Sequence, residues 1–360
     1  MFYIHQTSCI SPQQTFMDAD LAVLFQPVDN KLKVIEPVYT GIPPGMLRRM
    51  SKAVRVGVGS ALPLLNNLPV PDGIIIGTAN AGMEDCFHFL KQIVDYNEGQ
   101  LTPGNFVQST PNAIAAQLGM LTRNKGYNIT HVHLGLAFEN ALIDAGMMIK
   151  EQPENTYLAG AVDDIATYNY TLNVLGGWLK KEAVTAKSFY NLNTPGSIAG
   201  EGAAMFLVNG KATNAIACVK VVGTIHTDNE AIVEHQLKDF ISKNLPAGER
   251  IDLLISGEDG DNRLLKYYEA CEKLMPPNAA VLRFKHISGE YPTAAAFALW
   301  LACYVLQKNV IPPHVIKKNF PLATCKNILI YNCYKGVQHG FMLVTSGPKS
   351  GVLPAACFIR

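Results

Sequence analysis

Residues Asp72–Thr78 have the sequence DGIIIGT, which gives the clearest indication of the fold class. An Asp-Gly turn precedes three isoleucines and a glycine follows them, so the pattern predicts a short strand that is apolar on both faces. Residues 155–163 (NTYLAGAVD) and 251–257 (IDLLISG) repeat the arrangement. Strands that are apolar on both faces are covered by helices on both sides, which is typical of an α/β protein.

Helical patterns lie between these strands. Residues 112–120 and 135–150 carry apolar side chains at helical spacing, and a strand predicted for residues 203–208 ends at a turn, residues 209–211. A second series of strands and helices follows that turn. The apolar run from Ala294 to Leu306 is too short to span a bilayer and is typical of a buried helix. We therefore expect one compact body built from two series of elements.

The composition excludes several classes of protein. The chain has 360 residues, of which 48% are hydrophobic and 16% charged, and its formal net charge is +1. That much apolar surface supports a deep core and excludes wholesale disorder. A charge near zero argues against a nucleic-acid stripe or a polybasic membrane patch. The low charge also points to buried surface at a subunit interface.

The cysteines and the first residues indicate a compartment. Eight cysteines are scattered along the chain without a Cys-x-x-Cys pair, and the first residues lack the basic and apolar regions of a signal peptide. We therefore expect a protein of the reducing cytoplasm with no membrane span.

The general motifs of catalysis and ligand binding are weak. The sequence Gly-Val-Gly at 57–59 lacks a third glycine in dinucleotide-binding spacing, so a helix-packing role is favoured. The acidic run 258–261 is explained as a turn after a strand. His131 and His133 alternate along a predicted strand, residues 128–134, but no third metal ligand is in view, which favours structural histidines. We expect no metal and no cofactor.

An ordered set of segments resembles the β-ketoacyl synthases of the thiolase fold. The order and spacing hold from about residue 40 to 345. The segments are Leu47–Ser51 (LRRMS), Ile76–Glu84 (IGTANAGME), Phe106–Ala113 (FVQSTPNA) with Gln117–Gly119 and Lys125–Gly126 after it, Ala159–Asp163 (AGAVD) and Gly200–Ala204 (GEGAA).

The resemblance implies a fold. It predicts a five-layer αβαβα arrangement with two similar halves, each containing a mixed five-stranded sheet. The N-terminal half would be residues 1–212 and the C-terminal half residues 213–360, with the break between them near residues 209–216.

The resemblance also assigns the positions of the family's Cys-His-His triad. The nucleophile is expected about nine residues after the Lys-Gly step, at Gly135. The first histidine position follows a strand and falls on Ser256. The second falls on Glu290, five residues after the retained family lysine, Lys285.

These substitutions predict a loss of condensing activity. Glycine has no thiol with which to form an acyl-enzyme. A serine and an anionic carboxylate cannot replace two imidazole donors that stabilise a developing enolate. The family's glycine-rich gate is also replaced, and Phe138, Cys333 and Tyr334 are the candidate tunnel or gate residues.

A synthase-like chain without its triad resembles a chain-length factor. Such a subunit pairs with an active ketosynthase, receives chains from an acyl carrier protein and shapes the acyl tunnel. The segment Glu-Tyr-Pro-Thr-Ala suggests the aryl-polyene or flexirubin-type pigment branch of type II fatty-acid and polyketide synthesis. The residues expected at the interface are Phe106, Asn112, Thr130, His131 and His133.

Two alternatives stay open. In the first, the chain is an active 3-oxoacyl synthase whose nucleophile is displaced to Cys86 or Cys333. In the second, it is a homodimeric scaffold that binds acyl carrier protein without a synthase partner.

Overall fold

The computed structural model describes residues 1–66, 70–319 and 325–348. The strands in these residues are β1 (Phe2–Ile10), β2 (Lys31–Leu32), β3 (Gly73–Gly77), β4 (Tyr127–His131), β5 (Tyr157–Asp163), β6 (Ala199–Gly200), β7 (Gly202–Asn209), β8 (Ala217–His226), β9 (Leu253–Ser256), β10 (Ala280–Arg283), β11 (Ile316–Lys318), β12 (Asn327–Tyr334) and β13 (Gln338–Ser346).

The helices connect these strands and cover them. They are α1 (Pro44–Leu47), α2 (Lys52–Leu65), α3 (Met83–Asp95), α4 (Pro103–Gln108), α5 (Ala113–Thr122), α6 (Ala137–Glu151), α7 (Thr167–Leu175), α8 (Glu230–Asn244), α9 (Leu265–Lys273), α10 (Lys285–Ser288) and α11 (Ala295–Lys308), with 3₁₀ turns at Leu134–Leu136, Phe189–Asn191 and Pro313–Val315.

Two halves of the chain repeat one strand order. The first half has the order β4-β3-β5-β7-β1 and the second β10-β9-β12-β13-β8. In each half the first two neighbour pairs are parallel and the last two antiparallel. The expected architecture of two similar halves with mixed five-stranded sheets is confirmed.

The two sheets are not separate, however. Phe2–Ile4 of β1 pair antiparallel with Ala217–Val219 of β8, which joins the halves, and β11 adds an edge strand beside β10. The result is one eleven-stranded hydrogen-bonded sheet. The expected boundary between residues 212 and 213 falls in the connection from β7 to β8, and the division into those two units stays a prediction.

The layers form because successive side chains along each strand point to opposite faces of the sheet. Ile75 belongs to the central core, together with side chains of α6 and α11, whereas Ile74 and Ile76 pack outwards against α2 and α5. In the second half, Leu254 packs outwards against α8 and α9. Because both faces of β3 meet helices, its sequence is apolar throughout. Two helical layers outside and one between the sheets make five layers.

The predicted elements agree with the observed ones, except at β4. The strand predicted for residues 128–134 ends at His131, whose carbonyl accepts a hydrogen bond from the Thr78 N–H at 3.0 Å. Beyond it Leu134 has a left-handed φ of 47°, and the 3₁₀ turn directs the chain into α6. Parallel pairing therefore stops where the chain turns, so His131 and His133 do not share a strand.

Two further expectations can be compared with the fold. Residues 57–59 lie inside α2, where a Cβ on Gly59 would meet the Tyr39 ring at 2.1 Å, so the glycines allow close packing as predicted. In the described ranges no helix combines the length and the apolar character needed to cross a membrane. Seven cysteines there are free, and Cys357 lies outside the described residues.

Candidate functional site

The turn between β4 and α6 carries the position expected for a nucleophile. Gly135 is buried in the 3₁₀ turn just before α6, a helix that buries eight of its side chains. The Gly135 N–H donates a hydrogen bond to the side-chain oxygen of Gln338, at 2.8 Å, and Gln338 is itself buried. A backbone N–H at such a turn can stabilise an oxyanion only if it is free, and here it is occupied.

Tyr334 closes the space around Gly135. A Cβ placed on Gly135 would lie 2.2 Å from the Cβ of Tyr334 and 2.5 Å from its Cγ. Both atoms belong to the fixed base of the tyrosine side chain, so a rotation of the ring does not relieve the contact. Residue 135 is therefore a glycine for steric reasons, and this arrangement has no room for a thiol.

Glu290 is held in place by backbone and side-chain contacts. Its N–H donates to the Ile198 carbonyl at 2.8 Å, and its carbonyl accepts from the Gly200 N–H at 2.9 Å. Its carboxylate forms an ion pair with Lys285, which is fully buried. Burial raises the pKa of Glu290, and the positive charge of Lys285 opposes that rise.

Two more carboxyl groups interact with the same lysine. Burial raises the pKa of Asp259 well above its usual range, the negative charge of Glu290 adds to the rise, and Lys285 opposes it. Burial raises the pKa of Glu139 to about 8, again opposed by Lys285. Three acids thus interact with one buried cation, and in this cluster burial favours the neutral acids whereas Lys285 favours their ionised forms.

Ser256 has a structural environment. It is 1% exposed at the end of β9, where it pairs with Arg283 and Tyr331 of the neighbouring strands. Its hydroxyl oxygen accepts a hydrogen bond from the Glu258 N–H at 3.3 Å. It does not line the cavity described next.

A narrow cavity of about 50 Å³ lies between the two halves. Glu290, Asp259 and Tyr334 line it from the second half, and Asp164 and Trp178 line it from the first. Burial raises the pKa of Asp164 to about 7, and the charge of Glu201 adds to the rise. The cavity is therefore lined by three carboxyl groups, Asp164, Asp259 and Glu290, whose pKa values burial raises.

Several polar atoms of this cavity have no hydrogen-bond partner within the described residues. They are Asn169 Nδ2, Ser197 Oγ and Glu290 Oε1. Buried polar groups are normally satisfied, so unpaired ones converging on a cavity are typical of a site that binds a polar molecule.

Two cations lie against the ring of Trp178, which lines the cavity. The Arg263 guanidinium lies 4.6 Å and the Lys335 ammonium 5.2 Å from the centre of the Trp178 ring. Lys335 also donates to Asn173 Oδ1 at 2.8 Å. Sequence reasoning missed these residues because the chain brings them together from segments far apart.

The acidic run 258–261 lies in the connection after β9, as expected, and its carboxyl groups are buried. Glu258 is buried and contacts Arg283 at 2.9 Å and Lys317 at 2.6 Å, while Asp261 pairs with Arg263 at 2.5 Å. Asp259 lines the cavity. The signal that could have identified the site was a group of three acidic residues, Glu258, Asp259 and Asp261, close behind a buried strand.

The candidate gate residues separate into two groups. Tyr334 lines the cavity, whereas Phe138 and Cys333 are fully buried and do not. Phe138 packs on Phe206 in the central layer, with ring centres 5.9 Å apart. Burial raises the pKa of Cys333 well above its usual value, and the charge of Asp259 adds to the rise.

Four of the residues expected at the interface lie on or next to β4 at the edge of the sheet, and the fifth, Phe106, lies on α4. Phe106 is 60% exposed on α4, and Thr130 donates to Asn112 Oδ1 at 2.8 Å. His131 contacts Asp144 at 2.8 Å, and His133 contacts Asn140 at 2.7 Å. The two histidines thus have different partners, and in the described part of the chain no three potential ligands come together for a metal.

Three helices of the first half form an exposed apolar face. Helices α3, α4 and α7 contain no buried residue, yet Phe87 stacks on Tyr168 with ring centres 5.1 Å apart, and Phe89 packs on Phe106 at 5.3 Å. We call α3, α4 and α7 the apolar face. Its exposed apolar side chains are Met83, Phe87, Leu90, Val94, Phe106, Val107, Tyr168, Leu172, Val174 and Leu175.

Solved structures of ketosynthases share this architecture. The ishigamide ketosynthase/chain length factor is 16% identical with a TM-score of 0.72, and the alignment covers 96% of this chain and 99% of that one. A β-ketoacyl synthase from Burkholderia phymatum STM815 is 11% identical with a TM-score of 0.74 and the same coverage.

A type II polyketide synthase structure, in which an acyl carrier protein is in complex with its ketosynthase bound to the hexaketide, is 12% identical. Its TM-score is 0.69, and the alignment again covers 96% of this chain and 99% of that one. No protein-family model matches the sequence, and no curated protein matches it. The likeness is therefore one of structure, and this chain has the thiolase-like fold of the β-ketoacyl synthases.

Proposed function

We propose that the chain is a non-catalytic, chain-length-factor-like subunit that pairs with an active β-ketoacyl synthase in the cytoplasm. The observation that carries the proposal is the position of Gly135, which has no thiol, has its N–H bonded to Gln338 and lies against Tyr334. An acyl-enzyme needs a nucleophile, a free oxyanion donor and space for the acyl carbonyl.

The remaining family positions support the same proposal. Ser256 is buried beside Glu258, and the Glu290 carboxylate is paired with Lys285. Neither supplies a neutral donor to a thioester oxygen. A carboxylate near a developing enolate would raise the energy of the transition state rather than lower it.

The apolar face and the β4 edge support a partner subunit. Large contiguous apolar patches on soluble proteins usually mark interaction sites, and an unpaired edge strand invites pairing. We expect the partner to cover both, with a total interface of at least roughly 2,000 Å² as in obligate dimers. The partner would be an active ketosynthase, and acyl carrier protein would deliver chains to the pair.

Two of the structural neighbours support this choice of partners, since one is a ketosynthase/chain length factor and another a ketosynthase in complex with acyl carrier protein. Within type II fatty-acid and polyketide synthesis, our finer proposal is the aryl-polyene or flexirubin-type pigment branch.

The displaced-nucleophile alternative lacks support in the structure. Burial keeps the Cys333 thiol protonated, and a thiol must ionise to attack. Cys86 lies on α3 and does not line the cavity. The homodimeric scaffold needs the same surfaces as the heterodimer, so association must be measured to separate them.

The test combines association with turnover. The chain is co-expressed with a complete Cys-His-His synthase, and the mixture is analysed by light scattering and by condensation of malonyl groups on acyl carrier protein. We expect a heterodimer that condenses only when both chains are present. A chain that stays monomeric with and without the synthase would overturn the proposal, and an exclusive homodimer would favour the scaffold.

Matched substitutions locate the interface. Leu172→Lys places a charge on the apolar face, where Leu172 is 49% exposed, and should abolish association. Ile232→Lys is the control, because Ile232 is 45% exposed on α8 of the other half and should leave association unchanged. Equal behaviour of the two variants would contradict the proposed interface.

A further inference from the structure

Lys335 is a lysine of the cavity between the two halves that the proposed function does not use. It lines the cavity, and its side-chain nitrogen donates to Asn173 Oδ1 at 2.8 Å. The same nitrogen lies 5.2 Å from the ring centre of Trp178 and 5.3 Å from that of Tyr334. Asn173, Trp178 and Tyr334 all line the cavity as well. The Lys335 nitrogen therefore lies at the wall of this cavity.

The charge of Lys335 is poorly stabilised. The side chain is half-buried and forms no ion pair in the described part of the chain, since Glu290, whose charge acts on it, is paired with Lys285. Burial lowers the pKa of Lys335, and the negative charge of Glu290 opposes the fall. A lysine with the usual pKa of about 10.4 has less than about 0.1% neutral amine at pH 7, and each unit by which the pKa falls raises this fraction about tenfold. Lys335 is therefore a better nucleophile than an ordinary surface lysine.

Three carboxyl groups of the wall can supply a proton and a counter-charge. Asp164, Asp259 and Glu290 line the cavity, and burial raises the pKa of each. Asp164, with a pKa of about 7, is partly protonated at neutral pH and can protonate a leaving hydroxyl group. After it has lost the proton, its negative charge stabilises a cation on the lysine nitrogen. The wall therefore suits a reaction that leaves a positive charge on Lys335.

Two polar atoms of the wall lack a hydrogen-bond partner among the described residues. They are Asn169 Nδ2 and the Oγ of Ser197, a residue that is 2% exposed. An amide nitrogen can only donate, and a serine hydroxyl can donate or accept. A carbonyl oxygen accepts such donors and continues to accept them when it becomes a hydroxyl group. The unpaired atoms therefore favour a carbonyl compound as the ligand.

The volume of the cavity limits the size of the ligand. One water molecule needs about 10–15 Å³, so about 50 Å³ has room for roughly three to five non-hydrogen atoms. Leu264, Pro292 and the ring of Trp178 give the wall an apolar part. A short alkyl aldehyde fits this space and this surface. Carbon dioxide is small enough, but it would convert the amine into an anionic carbamate beside three acids, which their charges oppose.

We propose that Lys335 forms an imine with a short-chain aldehyde that enters this cavity. The amine attacks the carbonyl carbon, a nitrogen–carbon bond forms, and the π electron pair moves to the oxygen, which takes up the proton that the nitrogen loses. A carboxyl group of the wall then protonates the hydroxyl group, which leaves as water while the nitrogen lone pair forms the carbon–nitrogen double bond. The products are a protonated imine, a carboxylate and one water molecule. The proposal goes beyond the proposed function and does not require a partner subunit.

Reductive trapping of the full chain tests the proposal. Propanal has four non-hydrogen atoms, and sodium cyanoborohydride reduces a protonated imine to a stable propyl amine, which peptide mass spectrometry locates. The reference in the same protein is Lys266, which is exposed, lies 4.8 Å from the Tyr267 ring centre and lines none of the cavities described above. At pH 7 we expect Lys335 to gain a propyl group at least about tenfold faster than Lys266. An equal or lower rate at Lys335 would overturn the proposal.

Substitution confirms which amine reacts. Lys335→Arg keeps the positive charge and removes the amine, so the fast reaction should disappear. Lys266→Arg is the matched control and should leave the fast reaction unchanged. A fast alkylation that persists in Lys335→Arg would show that another lysine is responsible, which would overturn the assignment. Mapping of the parent chain gives the same information without any variant.

A bulkier aldehyde tests the role of the cavity. 2,2-Dimethylpropanal has six non-hydrogen atoms and exceeds the space beside Lys335, whereas Lys266 is exposed and accepts either aldehyde. We expect the ratio of the Lys335 rate to the Lys266 rate to fall at least about tenfold when it replaces propanal. An unchanged ratio would place the reaction outside the cavity and contradict the proposal. None of these measurements involves condensation or association, so their failure would leave the proposed function standing.

Discussion

The two halves of the chain have the same strand order and different outer surfaces. In the second half the edge strand β10 is paired with β11, and α8 and α9 bury apolar side chains in their own core. In the first half the edge strand β4 has no outer neighbour among the described strands, and α3, α4 and α7 bury none of their side chains.

Strand order therefore does not determine which surface of a half is covered. The same βαβ connections can place a helix against the sheet or leave its apolar side exposed, and the side chains decide between these outcomes. An exposed apolar face is costly in water, so a surface of this kind on one half supports the proposal that association uses that half.

The largest expected effect compares one leucine from each half. Leu237 is fully buried on α8, and Leu172 is 49% exposed on α7. We expect Leu237→Ala to lower the free energy of unfolding by about 2–5 kcal/mol because it opens a cavity. We expect Leu172→Ala to change it by less than about 0.5 kcal/mol. Chemical denaturation of the isolated chain measures both values.

Similar losses in the two variants would show that α7 is part of a folded core, and the contrast between the halves would then be wrong. Because the apolar face is expected to be covered by a partner, Leu172→Ala should be repeated in the complex, where its effect on association should be the larger one.

The next effect lies where the two halves meet. Gly135 belongs to the first half and Tyr334 to the second, and a Cβ on Gly135 would lie 2.2 Å from the Tyr334 Cβ. We expect Gly135→Ala to destabilise the chain by about 1–3 kcal/mol through overpacking. Gly135→Cys should do the same and should show no condensing turnover, because the histidine donors are absent.

The matched control is Gly104→Ala, since no atom lies within 4 Å of a Cβ at Gly104 on the apolar face. It should be neutral or slightly stabilising. A stable, condensing Gly135→Cys protein would contradict both the steric reading and the proposed loss of catalysis.

The last effect is a slope of stability against pH, and it concerns the central layer that both halves share. Glu139 of α6 is fully buried, and burial raises its pKa from 4.5 to about 8. The folded chain therefore keeps a proton that the unfolded chain loses above about pH 4.5. Stability must fall as the pH rises from about 4.5 to 8, by at most about 1.4 kcal/mol per pH unit.

Glu139→Gln removes this titration, so the variant should lose less stability than the parent chain between pH 5 and pH 8. Glu234→Gln is the control, because Glu234 is exposed on α8. Parallel pH profiles for the parent chain and Glu139→Gln would show that Glu139 does not carry the buried proton.

Much of the fold could be predicted from the sequence. The strands around Ile75, Ala159 and Leu254 and the apolar helix α11 were identified because a buried element carries an unbroken apolar run of characteristic length. The end of β4 could not be predicted, since it depends on the left-handed turn at Leu134 and on the hydrogen bond from Thr78.

Only part of the candidate site could be predicted from the sequence. The ordered resemblance to the synthases directed attention to Gly135, Ser256 and Glu290, and their roles stay predictions. The sequence did not predict that Glu139 and Asp259 interact with Lys285. These two acids come from different halves and approach the lysine only in the folded chain.

Apolar periodicity and turn residues act over a few neighbouring positions, so the amino-acid sequence alone establishes the α/β class and the order of the elements. The tertiary structure alone decided that Tyr334 closes the space beside Gly135, that buried acids surround Lys285, and that one half leaves its apolar helices exposed. Those features depend on contacts between residues far apart in the chain, and local patterns carry no information about such distances.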